Sequence, residues 1–386
     1  MKNKGSIFVV VIFLLLLIPV VKGAVIKTKT AEKQLLKSQQ EAIIDVAFCL
    51  DTTGSMSGLI EGAKQKIWTI VNTVNGAQPR PVLRIALIGY RDRGDDYVTT
   101  KFDFTSNLET MYSHLRAFEA GGGGDTPEDV NRALNDAVNG LDWSQEPAAL
   151  KIVYLVGDAP PHMDYQEGYD YRSITKLAAR RGIIVNTVQC GNIDGTREIW
   201  QEIARIAEGK FAAIDQSGGM IAIASPYDEE LANLSRDLNK TYVAYGSEGG
   251  RMLAAQAAND MDAETRAPAS AAERAASKAG SLYRNESWDL VDAVNNRSVK
   301  LEELKPSELP ENLRNMNEKD QHEYLEQKSR DREHLQMKIQ DLSKRRDTYV
   351  DAKMKQSGKK TDSAFDAQVL NTLKEQGKRK GIAFEK

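Results

Sequence analysis

The chain has only two cysteines in 386 residues, Cys49 and Cys190, too few for the disulfide framework that holds small secreted domains together. Both fall within or just after apolar β-like segments, where a thiol behaves as a small hydrophobe. Those segments are not expected to be neighbours, and a bridge needs Cα atoms within about 7 Å, so two buried free thiols are predicted. Histidine is also scarce. His114, His162, His322 and His334 are the whole set, and none stands in the His-Glu-x-x-His spacing of a zinc protease. Excess charge of one sign is missing too: Lys+Arg 52 against Asp+Glu 55 leaves −3, with no concentrated basic stretch of the kind phosphate backbones attract. Nucleic acid is therefore not an expected partner.

Long apolar runs are limited to one. Residues 7–21 are almost wholly apolar, follow Lys2 and Lys4, and lead into Val21-Lys22-Gly23. This order of charged, apolar and small residues is that of an export signal, expected over 1–23 with a linker over 24–42. At fifteen residues the run is slightly shorter than the roughly 17 a spanning helix requires, which leaves an N-terminal membrane anchor as the rival reading. A cleaved chain would have no stable membrane span, and the expected location is secreted or periplasmic, in the cell envelope.

From Ile43 onward, short apolar runs alternate with helical patterns, which predicts a sheet covered by helices on both faces. Strands are expected over 43–50, 82–90, 98–104, 151–156, 183–190 and 210–213. After the first, Leu59, Ala63, Ile67, Ile70, Val71 and Val74 recur at helical spacing. The segment 98–104 follows Asp92-Arg93-Gly94-Asp95 so closely that the pair should be antiparallel, the tetrapeptide being a turn and not an Arg-Gly-Asp ligand. A last helix over about 227–245 carries Leu231, Leu234, Leu238 and Tyr242 on one face before Gly246, Gly249 and Gly250 break the pattern. The predicted fold class is α/β: a Rossmann-like, doubly wound, mostly parallel sheet with one antiparallel edge strand over 43–245. An Ala/Gly-rich linker is expected over 246–281, a helical C-terminal region over 282–356 and a polar tail over 357–386. Within the helical region Asn317 reads as an N-cap with Asp320 three residues on. Lys328, Arg332 and Arg346 interrupt its heptad, so that helix is expected to fold back on the first domain.

The chemistry is concentrated in three loops. Asp51-Thr52-Thr53-Gly54-Ser55-Met56-Ser57 directly follows the first strand and precedes a helix, at the carboxyl end of the strands where open α/β sheets bind ligands. A carboxylate followed at alternating positions by two hydroxyls offers three hard oxygens, a set suited to Mg²⁺. Gly121-Gly122-Gly123-Gly124-Asp125-Thr126-Pro127-Glu128 lets the backbone approach closely and supplies Thr126; it lacks the Gly-Lys-[Ser/Thr] ending of a nucleotide loop. Val156-Gly157-Asp158-Ala159-Pro160-Pro161 brings Asp158 to the end of another strand.

Together these loops resemble the metal-ion-dependent adhesion site (MIDAS) of the von Willebrand factor A family, Asp-x-Ser-x-Ser followed by a distant Thr and a distant Asp. Asp51 matches the first aspartate, Thr53 and Ser55 the two hydroxyls, Thr126 the threonine and Asp158 the last aspartate; Thr53 departs from serine but keeps the hydroxyl. The resemblance covers about two hundred residues and implies a bound divalent cation, Mg²⁺ or else Mn²⁺ or Ca²⁺. It also implies an open position that an Asp or Glu of a partner protein fills, with Asp125 and His162 at the rim. The expected function is accordingly adhesion to a protein and not catalysis. Two alternatives stand beside it: a scaffold subunit of an envelope complex acting through the C-terminal helices, and a metal-dependent hydrolase with His162 and Asp164 as general base.

Overall fold

The computed structural model describes residues 42–220, 222–357 and 364–384. The expected export signal and the linker up to residue 41 lie outside the described residues. Among the described residues no helix is long and apolar enough to cross a membrane.

Six strands form one sheet: β1 (Ala42–Asp51), β2 (Pro81–Tyr90), β3 (Thr99–Thr105), β4 (Leu150–Gly157), β5 (Ile183–Cys190) and β6 (Phe211–Ile214). Their spatial order is β3-β2-β1-β4-β5-β6, parallel except for the β2–β3 pair at one edge. Chain direction across the sheet reverses between β1 and β4, so the crevice at their carboxyl ends is the switch point of a doubly wound fold. β1 shows why both faces must be covered. Val46, Phe48 and Leu50 enter one core with α1 (Ser57–Asn75) and α2 (Leu108–Ala117). Ala47 and Cys49 enter the other with α3 (Val130–Asn139), α4 (Tyr171–Arg180) and α5 (Thr196–Ile206). A strand buried on both sides needs a near-continuous apolar run, and β1 has one.

Cys49 and Cys190 are free, buried thiols on opposite faces of the sheet, as their strand positions predict. The Asp92–Asp95 segment is indeed the β2–β3 connection, with Gly94 at φ 97°. The charged ends of the Arg-Gly-Asp triplet are engaged within the chain: Arg93 pairs with Glu167 and Asp95 accepts the Gly123 N–H at 3.2 Å.

Beyond the sheet the boundaries differ from expectation. The helix expected over 227–245 is α6 (Asp228–Asn239) and stops early; Tyr242 and Val243 are buried after it. Residues 246–281, expected as a linker, contain α7 (Gly249–Arg266) and α8 (Pro268–Lys278). Alanine favours helix, and its small side chain lets α8 press close to α1 and α6, with Ala272 and Ala275 fully buried. A buried ionic network fixes this packing. Arg274 donates to Glu109 at 2.7 Å and also pairs with Asp260, Lys278 donates to Asp260 at 2.8 Å, and the Tyr283 hydroxyl donates to Glu109.

After α9 (Leu290–Asn295) comes α10 (Glu318–Ser357), forty residues long. Asn317 caps it as expected, its side-chain Oδ1 accepting the Asp320 N–H at 3.0 Å. Leu325, Ile339 and Leu342 are buried, and so is Arg332, which reaches Asp289 at 2.6 Å and the Thr241 carbonyl at 2.7 Å. The helix thus folds back on the rest of the chain. The tail, expected to be polar, instead carries α11 (Phe365–Arg379). Its Phe365, Val369 and Leu373 join the core on the α1 face, and the Tyr154 hydroxyl donates to the Val369 carbonyl at 3.0 Å.

Candidate metal centre

Asp51 ends β1 and is fully buried. Its Oδ1 accepts the Thr53 N–H at 2.9 Å and the Thr53 hydroxyl at 2.7 Å, and Thr53 Oγ1 lies 3.2 Å from Ser55 Oγ. Its Oδ2 is buried without any hydrogen-bond partner. Burial pushes the carboxyl up to about 7; the nearby charge of Asp158 adds to the rise and the Thr53 hydrogen bonds oppose it. Asp158 follows β4 and is also buried. Gln216, just past β6, donates to its Oδ2 at 2.6 Å and to the Ser55 carbonyl at 3.3 Å, tying the first and third loops together. Gly157 is required by closeness: a Cβ there would run into the Tyr90 hydroxyl and stand 3.0 Å from Asp51 Cβ and Oδ2.

The glycine loop lies against the first loop. The Gly121 N–H donates to the Thr52 carbonyl at 3.1 Å, and the Gly54 N–H to that of Gly122 at 3.4 Å. Gly122 and Gly123 take φ of 74° and 89°, a region an L side chain rarely enters. The structure therefore brings Asp51, Thr53, Ser55 and Asp158 together. Thr126 sits on the adjoining loop but is exposed, and among the described residues no hydrogen bond joins it to the other four.

Four residues gather here that sequence reasoning did not assign. Glu128 is buried, with Oε2 unpartnered, and burial pushes it up to about 9, helped by the charges of Asp51, Asp92, Asp95 and Asp158. Its backbone joins the second and third loops: its N–H donates to the Pro160 carbonyl at 3.0 Å and its carbonyl accepts the His162 N–H at 3.1 Å. Gln216 is the second. Asp92, at the end of β2, is the third, with Tyr165 donating to both its oxygens at 2.9 and 2.8 Å. Tyr165 is the fourth, stacked on His162 at 4.1 Å between ring centroids. His162 itself is buried and Asp125 exposed. Glu128 stands inside the glycine-loop motif and was visible as a carboxylate, whereas nothing in the sequence marks Gln216.

A doubly wound sheet with a hydroxyl-bearing Asp loop at its switch point defines an α/β module with its crevice at the carboxyl ends of β1 and β4. Residues 45–224 match the von Willebrand factor A domain family, and the chain carries a von Willebrand factor A domain. It is 38% identical over 116 residues to von Willebrand factor A domain-containing protein 7 of Mus musculus, covering 30% of this chain and 12% of that protein. It is 26% identical over 167 residues to alpha-protein kinase vwkA of Dictyostelium discoideum, covering 40% and 25%. The match to an ariadne-like RING finger protein of Acanthamoeba polyphaga mimivirus is 32% over 122 residues, covering 32% and 12%. The chain thus spans at most a quarter of these relatives. Proximal thread matrix protein 1 from the mussel byssus, solved with a zinc-occupied MIDAS motif, is 19% identical over 46% of this chain and 42% of that one. Its TM-score of 0.36 is too low to carry weight.

Proposed function

We propose that the domain binds a partner protein through a divalent cation held by Asp51, Thr53, Ser55, Thr126 and Asp158, with an Asp or Glu of the partner completing the shell. The observation that carries this reading is Asp51 Oδ2, a buried carboxylate oxygen without a partner at the switch point of the sheet. Leaving such a group unpaired costs about 1–3 kcal/mol, and more for a charge. A carboxylate flanked by hydroxyls is a fitting donor for a hard cation, Mg²⁺ first and Mn²⁺ or Ca²⁺ after it. When bound, the cation supplies an electropositive position open to a carboxylate. The chain does the rest: Thr53 and Ser55 present their hydroxyls, Gln216 holds Asp158, the glycine loop carries Thr126, and Asp125 and His162 line the rim.

This binding takes place outside the cytoplasm, the chain being secreted or held in the cell envelope through residues 1–23 as a signal or an anchor. One observation favours a second reading, a scaffold acting through the C-terminal helices: α10 keeps charged pairs such as Glu326–Arg330 and Asp341–Arg345 in solvent along its length. A pull-down from envelope extract, with and without EDTA and with Asp51→Ala as control, separates the two. The adhesion reading expects a partner retained only by the wild-type chain in the presence of Mg²⁺. A partner held equally in EDTA contradicts it.

A further inference from the structure

We propose that Asp92, Asp125 and His162 form a second divalent-cation site, separate from the one at Asp51, whose donor set takes a transition ion such as Zn²⁺. The three side chains come from three segments, the end of β2, the glycine loop and the loop after β4, and their ligand atoms lie within 4.8 Å of one another. His162 Nε2 stands 3.4 Å from Asp92 Oδ2 and 3.7 Å from Asp125 Oδ2. A tetrahedral ion with bonds of about 2.0–2.2 Å requires ligand atoms roughly 3.3–3.5 Å apart, so small movements close the shell around one ion.

The second observation is the state of the imidazole. His162 is 7% exposed, yet its Nε2 has no hydrogen-bond partner. The other ring nitrogen, Nδ1, pairs with Asp164 Oδ1 at 2.8 Å. Nε2 thus faces an oxygen of Asp92 and one of Asp125 without a hydrogen bond to either. Among the described residues no lysine or arginine pairs with Asp92 or Asp125, and the charged partner each has is His162.

The surroundings match what metal-bound histidines and carboxylates need, an outer partner that fixes orientation. Asp164 orients His162, the Tyr165 hydroxyl orients Asp92, and the Tyr165 ring stacks on the imidazole with 12° between planes. Imidazole nitrogen in the donor set selects Zn²⁺ and its neighbours over Mg²⁺ and Ca²⁺. Three protein ligands leave one position open.

The test titrates the full-length protein, saturated with Mg²⁺, with Zn²⁺ by calorimetry, and with Co²⁺ followed by its visible ligand-field spectrum. The expected result is one further equivalent of Zn²⁺, retained in Asp51→Ala. Affinity should fall by about tenfold or more in Asp92→Asn and in His162→Phe, which keeps a ring against Tyr165, and His162→Phe should remove the nitrogen contribution from the Co²⁺ spectrum. Asp125→Asn changes an exposed position and serves if the buried variants fail to fold; the same loss is expected. No Zn²⁺ uptake beyond one that Asp51→Ala abolishes, or uptake that Asp125→Asn leaves intact, overturns the proposal.

Discussion

Asp51 and Glu128 give the site a pH dependence whose sign is fixed by their burial. Both carboxyls are raised, Asp51 to about 7 and Glu128 to about 9, so the folded chain holds these protons more tightly than the unfolded one. Stability is then full below the ordinary carboxylate range and falls as pH rises towards the folded values. In EDTA the thermal midpoint is expected to drop between pH 5 and pH 8, excess Mg²⁺ should restore it at pH 8, and Asp51→Asn should lessen the drop, leaving the part due to Glu128. A midpoint that is level across this range in EDTA contradicts the reading of Asp51. Glu128 shares in this fall and carries it on to about pH 9, so Glu128→Gln should raise the midpoint at pH 7 above the wild type and remove the remaining fall between pH 8 and pH 9. The contrast also shows what a sequence can carry at this scale. Asp51, Thr53 and Ser55 share one loop and fit a spacing rule, so their meeting was readable. Gln216, which lies some 160 positions from Ser55, and Asp92, read as a turn residue, enter the site only through folding.

Among the elements, the strands and the first helix were legible because each pairs a short apolar run or a 3.6-residue stripe with a clear turn signal. α7 and α8 were not, since alanine marks the buried and exposed faces alike. α10 shows a different limit: of the charges that break its heptad, Arg332 and Arg346 are themselves buried. Arg332 stacks over the Tyr242 ring, 4.1 Å from its centroid, and pairs with Asp289 and Asp292. Burial of those charges is balanced only while all partners stay, and removing one member of such a cluster costs about 3–5 kcal/mol. Arg332→Ala should therefore lower the urea unfolding free energy by roughly that amount, whereas Arg330→Ala, an exposed pair with Glu326, should change it by less than about 1 kcal/mol. Equal effects of the two would mean that α10 is not held through Arg332.

For the molecule as a whole, the segment 364–384 decides how the domain can be cut. α11 lays Phe365, Val369 and Leu373 on the core that Phe48 and Tyr154 line from the sheet, and its Gln376 exchanges hydrogen bonds with Asn186 of β5 at 3.0 and 2.7 Å. Burying three such side chains contributes about 1.5–3 kcal/mol each, and their removal also strands the Asn186 amide, at a cost of about 1–3 kcal/mol. A chain ending at residue 363 is thus expected to lose on the order of 5 kcal/mol, read as a lower urea midpoint and as dye-binding apolar surface. An unchanged midpoint would show that the sheet face does not depend on α11. The consequence reaches the functional question: loss of a partner after C-terminal truncation follows from unfolding as readily as from loss of a docking helix. Asp51→Ala acts at the first loop and EDTA at bound cations, and both leave α11 in place. A partner lost on those two treatments, with the circular dichroism spectrum intact, is lost from the crevice at β1 and β4.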